Sequence, residues 1–145
     1  MYSGLLHLHN FLRWVIIVLL LIALIQAFSS KQGIRKTSLW LLISAHITLL
    51  LGIYQWIVGE VGLKMIQQMG MAEVMHNPAS RFWAVEHTTG MLIAIILITV
   101  ARGKAKVLNY KVASWLYLLA FIVILISVPW PFREGIGRPW FPGMQ

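Results

Sequence analysis

Four long apolar runs, separated by shorter polar segments, set the pattern of the chain. They cover residues 11–28, 39–58, 82–100 and 112–128. A helix needs about 20 mostly apolar residues to cross the roughly 30 Å hydrocarbon core of a bilayer. Each run therefore predicts a membrane-spanning helix. The predicted fold class is all-α: an integral membrane protein with four transmembrane helices in an up-down bundle, forming a single membrane domain.

The segments between the runs are of two kinds. Residues 29–38 and 101–111 are short polar connections, which make consecutive helices antiparallel neighbours. The external loop, 59–81, is longer and mixed in composition. Its middle has the composition of a short helix that lies at the membrane interface.

Local signals refine two of these boundaries. Asn77 followed by Pro78 is a typical helix start, so the third long helix is predicted to begin near this pair. The tail, 129–145, holds all but one of the prolines, which excludes a long helix there. Its tryptophan and phenylalanine residues are typical of the aromatic belt at the outer membrane surface.

Charge sets the orientation. The chain is 59% hydrophobic and 11% charged, with a net charge of +8. Seven basic residues lie in the two short connections: Lys31, Arg35, Lys36, Arg102, Lys104, Lys106 and Lys111. By the positive-inside rule these connections are cytoplasmic and both termini lie on the outer side. The basic clusters suit orientation and contact with anionic lipid, and no basic face indicates a nucleic-acid partner.

Polar residues at membrane depth are the candidates for function, because they are costly there. Counting 1.5 Å per residue from the basic connections places Arg13 and Glu86 at a similar height of roughly 24 Å. Equal height predicts a structural ion pair between the first and third long helices, since a buried charge without a partner is expensive. Arg13 could instead meet an anionic ligand, because its fork suits carboxylates.

Two histidines on neighbouring helices indicate a cofactor. His46 and His87 lie roughly 14 and 22 Å from the basic side, and Gly90 and Ala94 open space beside His87. Neutral imidazoles with apolar walls suit a bis-histidine haem b, with Arg13 and Arg81 available for its propionates. The alternative is that the histidines are separate structural residues and that the small residues form a helix–helix contact.

Other candidate ligands remain open. Either His7 or His9 could ligate a haem opposite His87, or both could be interfacial residues. The loop methionines and His76 are compatible with a soft metal such as Cu(I) or with apolar anchoring at the interface. The absence of cysteine excludes thiolate sites and covalent haem attachment but leaves non-covalent haem open. No catalytic constellation is present.

Four motifs carry a family resemblance: LHNFLRW (8–14), HITLLLGIYQ (46–55), RFWAVEH (81–87) and VPWP (128–131). In this order they resemble small four-helix bacterial membrane proteins labelled cytochrome b. The resemblance implies haem b as cofactor and a place in the bacterial inner (cytoplasmic) membrane. It also implies roles for His46 and His87, with His7 or His9 as a further candidate. The residues that accompany them in the resemblance are Arg13, Trp14 and Glu86.

Three functions compete. The leading hypothesis is a membrane electron carrier of a respiratory chain rather than a stand-alone enzyme, with haem b as cofactor and a quinone as a candidate reactant. The alternative is a haem-free accessory subunit of a larger membrane complex, or a homo-oligomer. Its partner surfaces would be the aromatic tail and the small, polar face of the second helix from Ser44 to Gly59. A proton or ion pathway through Glu86 is disfavoured, because the third helix is apolar below it.

Overall fold

The computed structural model describes residues 1–141, and the regular secondary structure in that range is helical. Four residues of the predicted tail, 142–145, lie outside the described residues. The helices are α1 (Tyr2–Phe28), α2 (Ile34–Val58), α3 (Leu63–Met69), α4 (Met71–His76), α5 (Pro78–Arg81), α6 (His87–Lys106) and α7 (Tyr110–Ser127). A π-helical turn, Phe82–Glu86, joins α5 directly to α6.

Four helical stretches are long and apolar enough to cross a membrane: Tyr2–Phe28, Ile34–Met69, Pro78–Lys106 and Tyr110–Ser127. This confirms the predicted all-α fold and the multi-pass membrane character. Each helix extends beyond its apolar run at one end or both, and α1 begins at Tyr2 rather than at residue 11. His7 and His9 therefore lie in regular helix, on different faces of α1.

The order of the helices around the bundle determines which side chains can meet. α1 packs against α2 and α7, and α6 packs against the same two helices. α1 and α6 therefore lie diagonally opposite each other. The short connections make α1 and α2, and α6 and α7, antiparallel neighbours. α2 and α6 are also antiparallel, because Arg35 at the start of α2 contacts Arg102 and Lys106 at the end of α6. One end of the bundle carries the two basic connections and is called the basic end. The other, called the terminal end, carries the start of α1, the loop between α2 and α5, and the tail from residue 128.

Alanine is the commonest buried residue of the bundle, beside a few large, completely buried side chains such as Leu20, Leu41 and Tyr117. Eight alanines in the core are at most 2% exposed: Ala23, Ala27, Ala45, Ala94, Ala101, Ala105, Ala113 and Ala120. In contrast, Ile25, Leu50 and Ile126 are each about two-thirds exposed. Small residues let helix backbones approach closely where packing rather than water exclusion drives association, as in a bilayer.

The start of the third long helix follows its sequence signal. The Asn77 side chain accepts a hydrogen bond from the Ser80 N–H at 3.1 Å, and Pro78 is the first helical residue. This confirms the predicted helix start. The predicted short helix in the preceding loop is present as two pieces, α3 and α4, which Gly70 separates with a φ of 81°.

The π-helical turn has a physical cause on the neighbouring helix. The Trp56 side chain on α2 donates from Nε1 to the Ala84 carbonyl at 2.9 Å, within the turn. The His87 N–H instead bonds to the Phe82 carbonyl, five residues earlier. A contact that takes a carbonyl out of the regular ladder favours such a bulge, and π-bulges are frequent at functional sites. The turn ends at His87 and so sets the direction of its side chain.

The basic end is closed by hydrogen bonds between α2 and α6. Arg102 donates to the Arg35 carbonyl and to the Ser38 hydroxyl, both at 3.0 Å. Arg35 in turn donates from Nε to the Lys106 carbonyl at 3.1 Å. Ser38 is completely buried. The Lys106 carbonyl is at the end of α6, where carbonyls have no partner within the helix. Together these bonds to charged side chains hold α2 and α6 in register.

Candidate functional site

His87 is held by the helix beside it. Its Nδ1 lies 2.7 Å from the Ser127 carbonyl oxygen on α7. A carbonyl oxygen only accepts, so Nδ1 carries the hydrogen and Nε2 of the neutral ring has a lone pair. The rings of Phe82 and Trp83 flank the imidazole, with centroids 5.9 and 5.8 Å away. His87 is thus an oriented imidazole with one nitrogen committed and one open.

His9 on α1 has a comparable arrangement. Its Nδ1 is buried and has no hydrogen-bond partner among residues 1–141. The ring lies against α2, beside the Thr48 carbonyl. Gly52 adjoins the ring, and a Cβ there would be 3.4 Å from His9 Cε1, which is an ordinary van der Waals contact. A buried polar atom without a partner is rare in folded proteins and often belongs to a functional site.

The two imidazoles lie near each other at the terminal end. His9 and His87 are close enough for a charge on one ring to affect the other. The Arg13 guanidinium is close enough to affect both rings. They come from the diagonally opposed helices α1 and α6, while α2 and α7 supply the neighbouring carbonyls. The site therefore draws on all four long helices.

Arg13 ties this cluster to the tail. Its guanidinium nitrogen Nη2 donates to the carbonyls of Pro139 and Trp140 at 3.2 and 2.9 Å. Trp14 donates from Nε1 to the same Trp140 carbonyl at 2.6 Å. The Trp14 ring also contacts Trp140 and Phe141, with centroids 6.0 and 5.7 Å away. The tail thus covers the terminal end, and Arg13 Nε stays buried without a partner among the described residues.

The structure does not bring His46 to His87. His46 is exposed on the outside of the bundle, and its Nδ1 lies 2.9 Å from the Leu42 carbonyl of its own helix. Its neighbours on α6 include Ile95 and Ile96, which come eight and nine residues after His87, or about 12–13 Å along the axis. His46 therefore lies apart from His87, whereas His9, which the sequence analysis left open as a candidate ligand, lies at the same end of the bundle as His87.

The predicted Arg13–Glu86 ion pair is wrong. Arg13 bonds to the tail, and Glu86 accepts from Arg81 Nε at 2.6 Å. Two residues at the same height in the bundle can still face different directions around their helix axes. The π-helical turn brings residues five apart onto one face, so Glu86 reaches back to Arg81 rather than across the bundle. Both side chains are partly exposed, at 46% and 36%.

The remaining candidate ligands lie apart from this cluster. His7 and His76 are exposed. Arg81 is already engaged, because it also donates to the Met75 carbonyl at 3.0 Å. The methionines of the loop lie at its surface or only partly buried. Within residues 1–141 no three His, Cys, Asp or Glu side chains come together in a metal-binding group.

The small, polar face of α2 is used inside the chain. Gln55 donates to the Leu5 carbonyl on α1 at 3.0 Å, Gly52 adjoins His9, and Gly59 adjoins the Tyr2 hydroxyl. The expected close helix–helix contact is therefore made with α1. This face is therefore occupied by contacts within the chain, whereas Phe132 and Phe141 of the tail stay exposed.

A cavity of about 640 Å³ opens at the terminal end next to this cluster. Arg81, Glu86, Arg133 and Glu134 supply its charged lining. Phe82 separates it from His87, and the Arg133 guanidinium lies 4.7 Å from the centre of the Phe82 ring. The cavity therefore lies next to His87 without including either histidine of the pair.

Sequence reasoning missed Ser127 and the Arg102–Ser38 contact. Ser127 acts through its backbone carbonyl, for which no side-chain signal exists. The Arg102–Ser38 contact does have a signal, a serine and an arginine at the basic ends of consecutive apolar helices. Comparison with known proteins gives no match to a family model, a curated protein or a solved structure.

Proposed function

We propose that this protein is a membrane-embedded haem b protein that takes part in electron transfer, in which His9 and His87 would hold the haem iron. One observation carries the proposal. Two imidazoles from diagonally opposed helices lie near each other, and each has an uncommitted nitrogen while its ring adjoins a carbonyl of a neighbouring helix. Ligating histidines commonly have such a carbonyl on the other ring nitrogen, which fixes tautomer and orientation.

The donor set favours haem over a bare metal ion. Protein zinc sites use three or four protein ligands, and this cluster offers two. Haem iron takes the rest of its coordination from the macrocycle and needs only axial ligands from the chain. A pair of histidines is therefore sufficient for haem b. When bound, the group would supply one-electron exchange.

The chain's own residues prepare the site. The Ser127 carbonyl holds His87 in one tautomer. Gly52 adjoins the His9 ring, and Phe82 and Trp83 flank the His87 ring. Arg13, whose Nε has no partner in the described part of the chain, is the cation that would receive a propionate. Arg81 suits that role less, because Glu86 and Met75 already engage it.

The resemblance to small bacterial membrane cytochromes b supports the same function and the bacterial inner membrane as its location. With the basic connections in the cytoplasm, the histidine pair lies towards the outer surface. The polar cavity beside Phe82 then faces an electron-transfer partner on that side, and other membrane subunits are the expected assembly.

The test is a reduced-minus-oxidised absorbance spectrum of the purified full chain, together with its haem content. We expect one haem per chain and the sharp α band of a six-coordinate b-type haem. A well-folded preparation from haem-replete cells without haem absorbance would overturn the proposal. The result would instead favour a haem-free accessory subunit of a larger membrane complex.

A further inference from the structure

The cavity of about 640 Å³ at the terminal end combines charges of both signs. One wall is the segment that starts the third long helix, and the other is the tail segment 133–136. Arg81 and Arg133 bring positive charge to the cavity, whereas Glu86 and Glu134 bring negative charge. Sites for small molecules have volumes of about 300–1,000 Å³. The cavity therefore has the size of a ligand site and a lining that suits a ligand with both charges.

Arg133 is held in a fixed position at this cavity. Its Nη1 donates to the carbonyls of Ile126 and Val128, at the end of α7, at 3.0 and 3.3 Å. Its guanidinium also lies 4.7 Å from the centre of the Phe82 ring. Nη1 carries two of the five N–H groups of an arginine, so Nε and Nη2 keep the other three. Within residues 1–141 these three make no hydrogen bond, and no carboxylate forms an ion pair with Arg133. Arg133 is therefore a cation positioned to bind an anion.

Two carboxylates share the cavity with Arg133. Glu86 accepts a hydrogen bond from Arg81 at 2.6 Å, and the charges of this pair cancel. Glu134 is exposed and forms no ion pair within the described part of the chain. Glu134 would repel a ligand with negative charge alone, and Arg133 would repel a ligand with positive charge alone. A zwitterion satisfies both side chains.

The cavity lies at the level of the lipid headgroups. The third membrane-spanning stretch begins beside it and the fourth ends beside it, and headgroups lie where spans end. Three side chains on one face of α7, Leu119, Ile122 and Ile126, are 49%, 45% and 68% exposed. This face leads to the Ile126 carbonyl, which accepts the hydrogen bond from Arg133. An acyl chain that covers this face would therefore bring its headgroup phosphate to Arg133.

We propose that this cavity binds the headgroup of a phospholipid that carries a phosphate and a primary ammonium, as phosphatidylethanolamine does. The phosphate accepts hydrogen bonds from Nε and Nη2 of Arg133, and the ammonium donates to the Glu134 carboxylate. Glu86 is less available, because Arg81 already engages it. A quaternary ammonium, as in phosphatidylcholine, has the same charge but no N–H to donate. The site depends neither on the proposed haem nor on which side of the membrane the terminal end faces.

The test is native mass spectrometry of the delipidated full chain, titrated with phosphatidylethanolamine or with phosphatidylcholine of the same acyl chains. We expect phosphatidylethanolamine to bind about tenfold more tightly, the lower end for one hydrogen bond between charged groups. Glu134→Gln keeps the size of the side chain and should make the two affinities equal. Glu73→Gln is the matched control and should keep the tenfold preference, because Glu73 is exposed and lies outside the cavity.

The phosphate contact is tested with Arg133→Gln. Both lipids carry the same phosphate, so this change should weaken the binding of each by about tenfold. Arg138→Gln is the matched control, because Arg138 is exposed in the same tail, lies over the Trp83 ring and does not line the cavity. It should leave both affinities unchanged.

Three results would overturn the proposal: equal affinity of the wild type for the two lipids, a preference that persists in Glu134→Gln, or unchanged affinities in Arg133→Gln. Soluble glycerophosphoethanolamine has the same headgroup and distinguishes a lipid from a free zwitterion. At equal concentration it should not displace the lipid, since it lacks the acyl chains that contact α7. Displacement would contradict the assignment of a lipid to this site. A protein without haem should give the same results.

Discussion

The imidazole of His87 and the backbone carbonyl of Ser127 are 2.7 Å apart, and this contact depends on how closely α6 and α7 pack. Gly90, one turn after His87, makes the approach possible. A Cβ at position 90 would overlap the Ser127 hydroxyl and lie 2.8 Å from Ser127 Cβ. The orientation of His87 and the packing of α6 against α7 therefore both depend on Gly90.

Gly90→Ala should destabilise the protein by about 1–3 kcal/mol, the usual cost of overpacking. The measurement is the free energy of unfolding in a detergent titration with SDS. Gly103→Ala on the same helix is the control, because nothing lies within 4 Å of its added Cβ. It should be neutral or stabilise by up to about 1 kcal/mol through helix propensity. Adding Ser127→Gly should restore much of the loss, and equal stability of the two single variants would contradict the described packing.

The ion pair between Arg81 and Glu86 should contribute little to stability. Both side chains are partly exposed, and pairs of this kind are worth about 0–1 kcal/mol. A double-mutant cycle with Arg81→Met and Glu86→Gln should give a coupling energy in that range. The parallel cycle of Glu86→Gln with Arg13→Met should give none. A coupling energy of several kcal/mol in the second cycle would contradict this structure and indicate an ion pair between Arg13 and Glu86.

Arg13 should hold the tail against α1. Arg13→Met removes two hydrogen bonds from a charged donor to the Pro139 and Trp140 carbonyls, each worth about 1.5–3 kcal/mol. Chymotrypsin cleavage after Trp140 should therefore become at least about tenfold faster, because cleavage follows local opening. Lys64→Met, at an exposed i,i+4 pair in α3, should leave the rate unchanged. An unaltered rate in Arg13→Met would mean that the tail is held by other contacts.

The fold was readable from the sequence because its signals are local. Apolar run length gave the four spans, and the Asn77–Pro78 pair marked a helix start that the structure reproduces. The helix ends were underestimated where polar residues continue a helix past its apolar run, as α1 does from Tyr2.

The candidate site was only partly readable, because height along a helix does not give rotation about it. His46 shares its face of α2 with Leu50 and Ile53, which are 69% and 44% exposed. Gly52, on the opposite face, packs inside against His9. In a bilayer the small residues face protein and the bulky ones face lipid. That rule, applied to α2, would have placed His46 outside the bundle from the sequence alone.

A rule about which side of a helix faces lipid could not predict the contact partners of Arg13 and Glu86. Arg13 bonds to the carbonyls of a tail with no regular structure. Glu86 owes its partner to a π-helical turn that depends on the Trp56 side chain of another helix. Neither the position of an irregular tail nor a bulge caused by a distant side chain follows from local periodicity.

The central claim is that His9 and His87, rather than His46 and His87, hold haem b. The most direct measurement is the reduced-minus-oxidised spectrum per chain of four purified variants that elute like the wild type: His9→Ala, His87→Ala, His46→Ala and His7→Ala. The account predicts that the first two lose the six-coordinate b-type spectrum and that the last two keep it. If His46→Ala loses this spectrum and His9→Ala keeps it, the account is contradicted and His46 rather than His9 is the ligand.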